Sequence, residues 1–216
     1  MARKESYARE VIKRLEAAYP DARIVLHFSS PIELLVAVIL SAQSTDATVN
    51  RITPALFERY RTARDYAEAD GAELESFIKP CGFYHNKAKN IIGAAGKLVA
   101  NFGSELPRTM AEMVTLPGVA RKTGNIVIYN TYGIAEGIAV DTHVRRISQR
   151  LGLSNQADPD KIEKDLMRLV PRAKWGSFNC LLVDFGRDIC TARAPKHEWC
   201  VLRDICPQVA ANHAGL

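Results

Sequence analysis

The segment Leu116-Pro117-Gly118-Val119-Ala120-Arg121-Lys122-Thr123-Gly124 joins two helical stretches through a Pro-Gly turn. A helix that starts directly behind such a turn carries unpaired backbone N–H groups and a positive dipole end, which suit a phosphate. Read plainly, the same segment is only a connection between helices. Lys122 falls in the first turn of the second helix, where the dipole and neighbouring Arg121 both disfavour a second positive charge. A lysine that acts as a nucleophile must be neutral part of the time, and these influences favour the neutral amine. A solvated lysine touching phosphate explains the position equally well, and spacing does not choose between them.

Further along, Val140-Asp141-Thr142-His143-Val144-Arg145-Arg146 places an acid where a helix N-cap is expected. Capping holds a carboxylate charged and oriented, as an electrostatic stabiliser of a cationic transition state must be, so both roles fit Asp141. Arg145 and Arg146 suit either phosphate contact or a solvated helix face. Four of the five cysteines, Cys180, Cys190, Cys200 and Cys206, fall in the last 37 residues, while Cys81 stands apart. Such clustering points to a metal site before it points to disulfides.

The elements that must position these residues are helical. Nearly every periodic segment repeats at 3.6 residues and no stretch alternates like a strand, so the chain reads as all-α. Val11, Ile12, Leu15 and Tyr19 share a face of the first helix. Ser30-Pro31-Ile32-Glu33 supplies a capping box with proline at the first helical position, and Leu34 to Leu40 follow without a charge, as in a helix buried all round. Ser44-Thr45-Asp46 offers a new N-cap for a helix toward Tyr60 that Pro54 should bend or break. Asn86 is expected to cap a long helix that ends at Phe102-Gly103, and Asp158-Pro159 is a further start signal.

Composition sets the bounds. Over 216 residues, 47% hydrophobic and 25% charged content is that of a globular protein and excludes disordered and fibrous classes. A net charge of +5 raises the odds of a nucleic-acid partner without deciding them. The apolar run from Leu34 to Leu40 is too short to span a membrane, and the charged N-terminal stretch lacks the apolar core of a secretory signal, so an intracellular, cytoplasmic place is expected.

Taken together, LPGVARKTGN, the following VDTHVRRISQRLGL, the upstream SAQSTD and the C-terminal cysteines resemble the endonuclease III family of helix-hairpin-helix DNA glycosylases, in the same order and over nearly the whole chain. The resemblance implies a two-lobed all-α fold, with residues 24–137 as a six-helix barrel and residues 1–23 with 138–216 as a second helical lobe that carries a metal-cluster loop. It implies that Lys122 is the Schiff-base nucleophile and Asp141 the catalytic carboxylate of a bifunctional enzyme of base excision repair. Such an enzyme flips an oxidised pyrimidine of the thymine glycol type from duplex DNA, excises it, and cleaves the strand by β-elimination. By the same resemblance Gln43 of SAQSTD and Phe83 of Cys81-Gly82-Phe83-Tyr84 fill the gap left in the stack, with phenylalanine where many relatives have leucine. Asp46 and His143 are assigned contacts with the flipped nucleotide; Gly118, Ala120, Arg121 and Arg145 are assigned to the DNA backbone. Ala120 stands where glycine is common, and its methyl group bears on how closely the backbone nears phosphate. Leu116, Gly118 and Val119 supply carbonyls for the monovalent cation that the family binds at its hairpin. The partner is damaged double-stranded DNA, with the protein a monomer and no membrane involved.

The metal motif departs from the family's. Its pattern is C-x6-C-x2-C-x5-C, whereas this chain reads Cys190-x6-His197-x2-Cys200-x5-Cys206. Three readings stay open: a four-iron four-sulfur cluster with His197 as fourth ligand, a Cys3His zinc site, or a cluster that is labile or lost. Cys180 reads as a buried apolar cysteine instead of a replacement ligand. Lys174, Arg193, Lys196 and Arg203 supply a basic surface near the motif. Against the glycosylase reading stand a related enzyme with another lesion preference, such as an adenine-mismatch or oxidised-guanine enzyme, and a DNA-binding or redox-sensing module. The adenine-mismatch relatives lack the lysine found at 122, and the co-occurrence of Lys122 with Asp141 argues against a module without catalysis.

Overall fold

A computed structural model describes residues 2–209; Met1 and residues 210–216, the ends of the outer stretches expected above, lie outside the described residues. Among the described residues every regular element is helical, as periodicity predicts. The chain forms two compact units, one made of Val25–Ile134 and the other of the segments that flank it.

In the flanking unit, α1 (Ala2–Ala18) buries Ala8, Val11, Ile12 and Leu15, the spacing of one helical stripe. It packs on α10 (Pro159–Leu169) and α11 (Trp175–Asp188). Phe178, Leu181, Leu182 and Phe185 of α11 meet Val144 and Ile147 of α9 (Thr142–Arg150) in the same core. Each such side chain contributes about 1.5–3 kcal/mol by leaving water. Asp158 caps α10 by accepting from Lys161 N at 3.0 Å, with Pro159 in the first helical position as its sequence signals.

The 25–134 unit contains α2 (Pro31–Ser41), α3 (Asp46–Arg59), α4 (Ala63–Ala67), α5 (Gly71–Ile78), α6 (Tyr84–Asn101), α7 (Met110–Met113) and α8 (Arg121–Tyr132). Leu34 to Leu40 are all buried, so α2 is enclosed on every face, against α3, α6 and α8. Its start differs in one detail from a capping box. Ser30 Oγ accepts from Glu33 N as expected, but the Glu33 carboxylate returns to the amide of Ser29 and not to that of Ser30.

Two local expectations need correction. The helix from Asp46 runs through Pro54 to Arg59, because Val49, Thr53 and Leu56 are buried along one face and their packing outweighs the missing hydrogen bond. Similarly, α6 starts at Tyr84, before Asn86, with Phe83 as its N-cap in the left-handed conformation and without a side-chain cap. Its far end follows the glycine signal: Gly103 has φ +58° and Ser104 N bonds Leu98 O at 2.9 Å.

The contact of α9 with α11 depends on Gly186. A Cβ there would lie 2.6 Å from His143 Nδ1, 2.8 Å from an Arg146 guanidinium nitrogen and 2.8 Å from Ile147 Cδ1. Gly186→Ala is therefore expected to lower the unfolding free energy by about 1–3 kcal/mol, read as a lower urea midpoint at unchanged slope.

Candidate active site

Behind α7 the chain turns through Pro117-Gly118 into α8. Gly118 has φ +76°, a conformation that L side chains rarely adopt, and a Cβ on it would come within 2.8 Å of Asn90 Cβ on α6. One turn further along α6, a Cβ on Gly93 would sit 3.2 Å from Pro117 Cγ. The turn is thus seated on α6, and α8 begins where that seat directs it. No side chain caps α8 at Ala120, and Lys122, in its first turn, is exposed. Ala120 has φ −90° and ψ 171°, extended backbone open to any L residue, so alanine is accommodated without strain where glycine is common. Arg121 is half-buried and Gly118 exposed.

Two other loops of this unit carry Gln43 and Phe83. Both residues are in left-handed backbone, with φ of 52° and 47°; Ser104 is the other non-glycine residue with positive φ among the described residues. For a bulky aromatic this conformation is an outlier that the surroundings must impose. Phe83 is nevertheless 64% exposed, and Gln43 is exposed as well. Asp46 is half-buried at the start of α3, behind the N-cap Thr45.

The loops meet at a residue that sequence reading missed. Lys87 is buried, and its ammonium donates to Leu40 O at 2.8 Å, Ser44 Oγ at 2.9 Å and Cys81 O at 2.8 Å. Ser44 Oγ in turn donates to Cys81 O. Burial pulls the Lys87 ammonium below its ordinary range, with the Cys81 thiol acting in the opposite sense. The available signal was its register: Lys87 falls on the buried stripe of Ile91, Ala94, Ala95 and Leu98, where a lysine has no place unless it is bonded.

In the flanking unit Asp141 is the N-cap of α9, and its Oδ1 accepts from Val144 N at 2.8 Å, so the expected cap is realised. His143 Nδ1 lies 3.2 Å from the Arg146 guanidinium, while Arg145 is exposed. Arg146 donates to the carbonyls of Gly186 and Cys190. Arg150 reaches Cys190 Sγ at 3.3 Å, Thr191 O at 2.7 Å and Ala192 O at 2.9 Å. One helix thus starts at Asp141 and, through two arginines, holds the segment that opens the metal motif.

Cys190, His197, Cys200 and Cys206 line one cavity together with Phe185 and Leu202, and His197 sits in a single 3-10 turn, His197–Trp199. Burial raises the Cys200 thiol, and the neighbouring sulfurs of Cys190 and Cys206 add to that effect. Among the described residues, however, no three His, Cys, Asp or Glu side chains converge closely enough to hold a single metal ion. Cys180 is absent from the cavity lining and is half-buried, not fully buried as expected; desolvation first, then Asp184 and Asp141, push its thiol up to about 11.

The hairpin seated on α6, with a lysine in the first turn behind it, defines a class. Residues 36–172 match the HhH-GPD superfamily of base excision DNA repair proteins. The chain is 48% identical to endonuclease III of Synechocystis sp. over 98% of its own length and 97% of the relative's. Endonuclease III of Bacillus subtilis is 45% identical over 87% of this chain and 86% of its own. A solved structure of an endonuclease III trapped in a covalent intermediate with DNA superposes with a TM-score of 0.90 at 40% identity, covering 97% of this chain and 98% of that one. The chain belongs to the endonuclease III family.

Arg150→Met, which removes three bonds to residues 190–192, is expected to speed amide exchange across 190–206 by roughly tenfold or more in the protein as purified, since a bond to a charged group contributes about 1.5–3 kcal/mol.

Proposed function

We propose that the chain is a bifunctional DNA glycosylase and abasic-site lyase that removes oxidised pyrimidines of the thymine glycol type from duplex DNA in base excision repair. The observation that carries this reading is the near full-length likeness to an endonuclease III held covalently on DNA, taken with Lys122 as the exposed amine at an uncapped helix start.

The chemistry follows from the groups present. With the damaged nucleotide flipped out, Gln43 and Phe83 occupy the gap, Asp46 and His143 contact the extruded nucleotide, and Gly118, Ala120, Arg121 and Arg145 hold backbone phosphates. A monovalent cation at the carbonyls of Leu116, Gly118 and Val119 fits the same phosphate contact. The neutral Nζ of Lys122 attacks C1′ while the bond from C1′ to the base breaks. The bonding pair leaves with the base, which takes up a proton. The Asp141 carboxylate offsets the positive charge on the sugar and accepts the proton that the attacking amine releases. Ring opening yields a protonated imine, which makes the C2′ proton acidic; its removal expels the 3′ phosphate, and water then frees the lysine.

The residues at the cavity suit a cluster by their donor chemistry. Three thiols and an imidazole line one space, and imidazole can take the place of thiolate on cluster iron. When bound through Cys190, His197, Cys200 and Cys206, a four-iron four-sulfur cluster would cross-link this segment. The basic side chains Arg193, Lys196 and Arg203 then lie on a fixed loop facing a phosphate backbone. Among the described residues no helix is long and apolar enough to cross a membrane. On this reading the protein acts as a monomer on DNA, in the cytoplasm or nucleoid.

Borohydride reduction on a thymine glycol duplex should trap a covalent adduct that disappears in Lys122→Ala, whereas Asp141→Asn should slow trapping by about a hundredfold or more with duplex binding kept. An adduct that survives Lys122→Ala would overturn the assignment. Metal analysis of protein purified without oxygen should give about four iron atoms per chain, and a single zinc would replace the cluster reading. Removal of the metal should loosen the chain from Thr191 onward and weaken DNA binding; unchanged binding after confirmed removal counts against that role.

A further inference from the structure

We propose that Lys87 is a positioning residue for nucleotide flipping, its buried ammonium locking Gln43 and Phe83 into the conformations with which they enter the duplex; this rests on the glycosylase reading above.

An ammonium has three donors, and all three are used here, each by a different part of the chain. Leu40 O belongs to the last turn of α2, Ser44 to the loop that follows it, and Cys81 O to the turn that precedes α6. Gln43 is the residue before Ser44, and Phe83 lies two residues after Cys81. The Ser44 hydroxyl closes the set by donating to Cys81 O while it accepts from Lys87. One buried charge therefore joins the two loops that present the gap-filling side chains, through the hydroxyl next to Gln43 and the carbonyl two residues before Phe83.

The backbone at both residues needs such a lock. Left-handed φ at a glutamine and at a phenylalanine persists only where the surroundings over-determine it. The ring of Phe83 is 64% exposed and Gln43 is exposed, so packing of their own side chains does not supply the constraint. The core itself does not require an amine at this place. Ala88, Ile91, Ala94, Ala95 and Leu98 form the rest of the buried stripe, and an unbranched apolar chain would fill the same volume. What the ammonium adds over an apolar filler is a set of bonds that fix two loops.

A positioning role separates two rates. Excision from duplex DNA needs the gap filled as the nucleotide leaves the stack, whereas lyase cleavage of a single-stranded abasic oligonucleotide leaves no gap. In Lys87→Met the ratio of single-turnover excision on a thymine glycol duplex to lyase cleavage on the single strand should fall about 10–100-fold, the cost of a misplaced group. Fluorescence of a 2-aminopurine placed opposite the lesion should report reduced insertion in parallel. In a Gln43→Ala/Phe83→Ala background the same substitution should change the ratio by less than about twofold, because coupled residues are not additive. Should Lys87→Met fail to fold, Ser44→Ala, which removes one acceptor and the link to Cys81, decides the matter, with an expected drop of about 3–10-fold in the ratio. Equal loss of both rates, an unchanged ratio, or full additivity with the double variant overturns the role of Lys87. A wild type that forms no adduct on either substrate overturns the glycosylase reading itself and this role with it.

Discussion

The seat of the hairpin turn on α6 is the constraint from which the rest of the 25–134 unit follows. Gly118 is held at φ +76° with Asn90 where a side chain would go, and Pro117 rests on Gly93. Because the turn cannot shift along α6 without a clash, the first residue of α8 and hence the place of Lys122 are set by close packing, not by a cap. The same helix carries Lys87 one turn earlier, so a single element backs both the hairpin that leads to Lys122 and the two loops with left-handed residues. Rigid packing of this kind suits a reaction in which the reacting atoms must be held to a fraction of an ångström.

In the other unit α9 has a comparable part. It starts on the Asp141 carboxylate, buries Val144 and Ile147 against α11, and near its end sends Arg146 and Arg150 to the backbone and sulfur of residues 186–192. The segment that opens the Cys/His motif is therefore tied to the helix that Asp141 caps, whether or not a metal is bound. Arg14 of α1 adds a second tie, to Val201 O and to Asp204.

Much of this was legible because it is written in local chemistry. Helical period, the caps at Ser30, Thr45, Asp141 and Asp158, and the Pro-Gly turn each act within a few residues, and each appears where the chain signals it. The failures are tertiary. Pro54 does not stop its helix, because buried neighbours outweigh the lost bond. Phe83 takes the N-cap place that Asn86 would favour, because bonds from Lys87 and Ser44 hold the preceding turn. Lys87 went unnoticed as a buried cation because its partners are carbonyls and a hydroxyl that leave no mark in composition. The Cys/His spacing was visible along the chain, whereas the cavity that its four residues share exists only in three dimensions.

The left-handed backbone at Gln43 and Phe83 also shapes how this protein would respond to selection. Glycine, or asparagine, relieves the backbone at either position, so a screen that scores only thermal resistance would enrich such replacements. The winners would be sturdier proteins stripped of the two side chains that the proposed function sends into the duplex. Stability and repair thus pull in opposite directions at two identifiable peptide units, and a lineage adapting to heat while keeping its activity has to find its gains elsewhere in the fold.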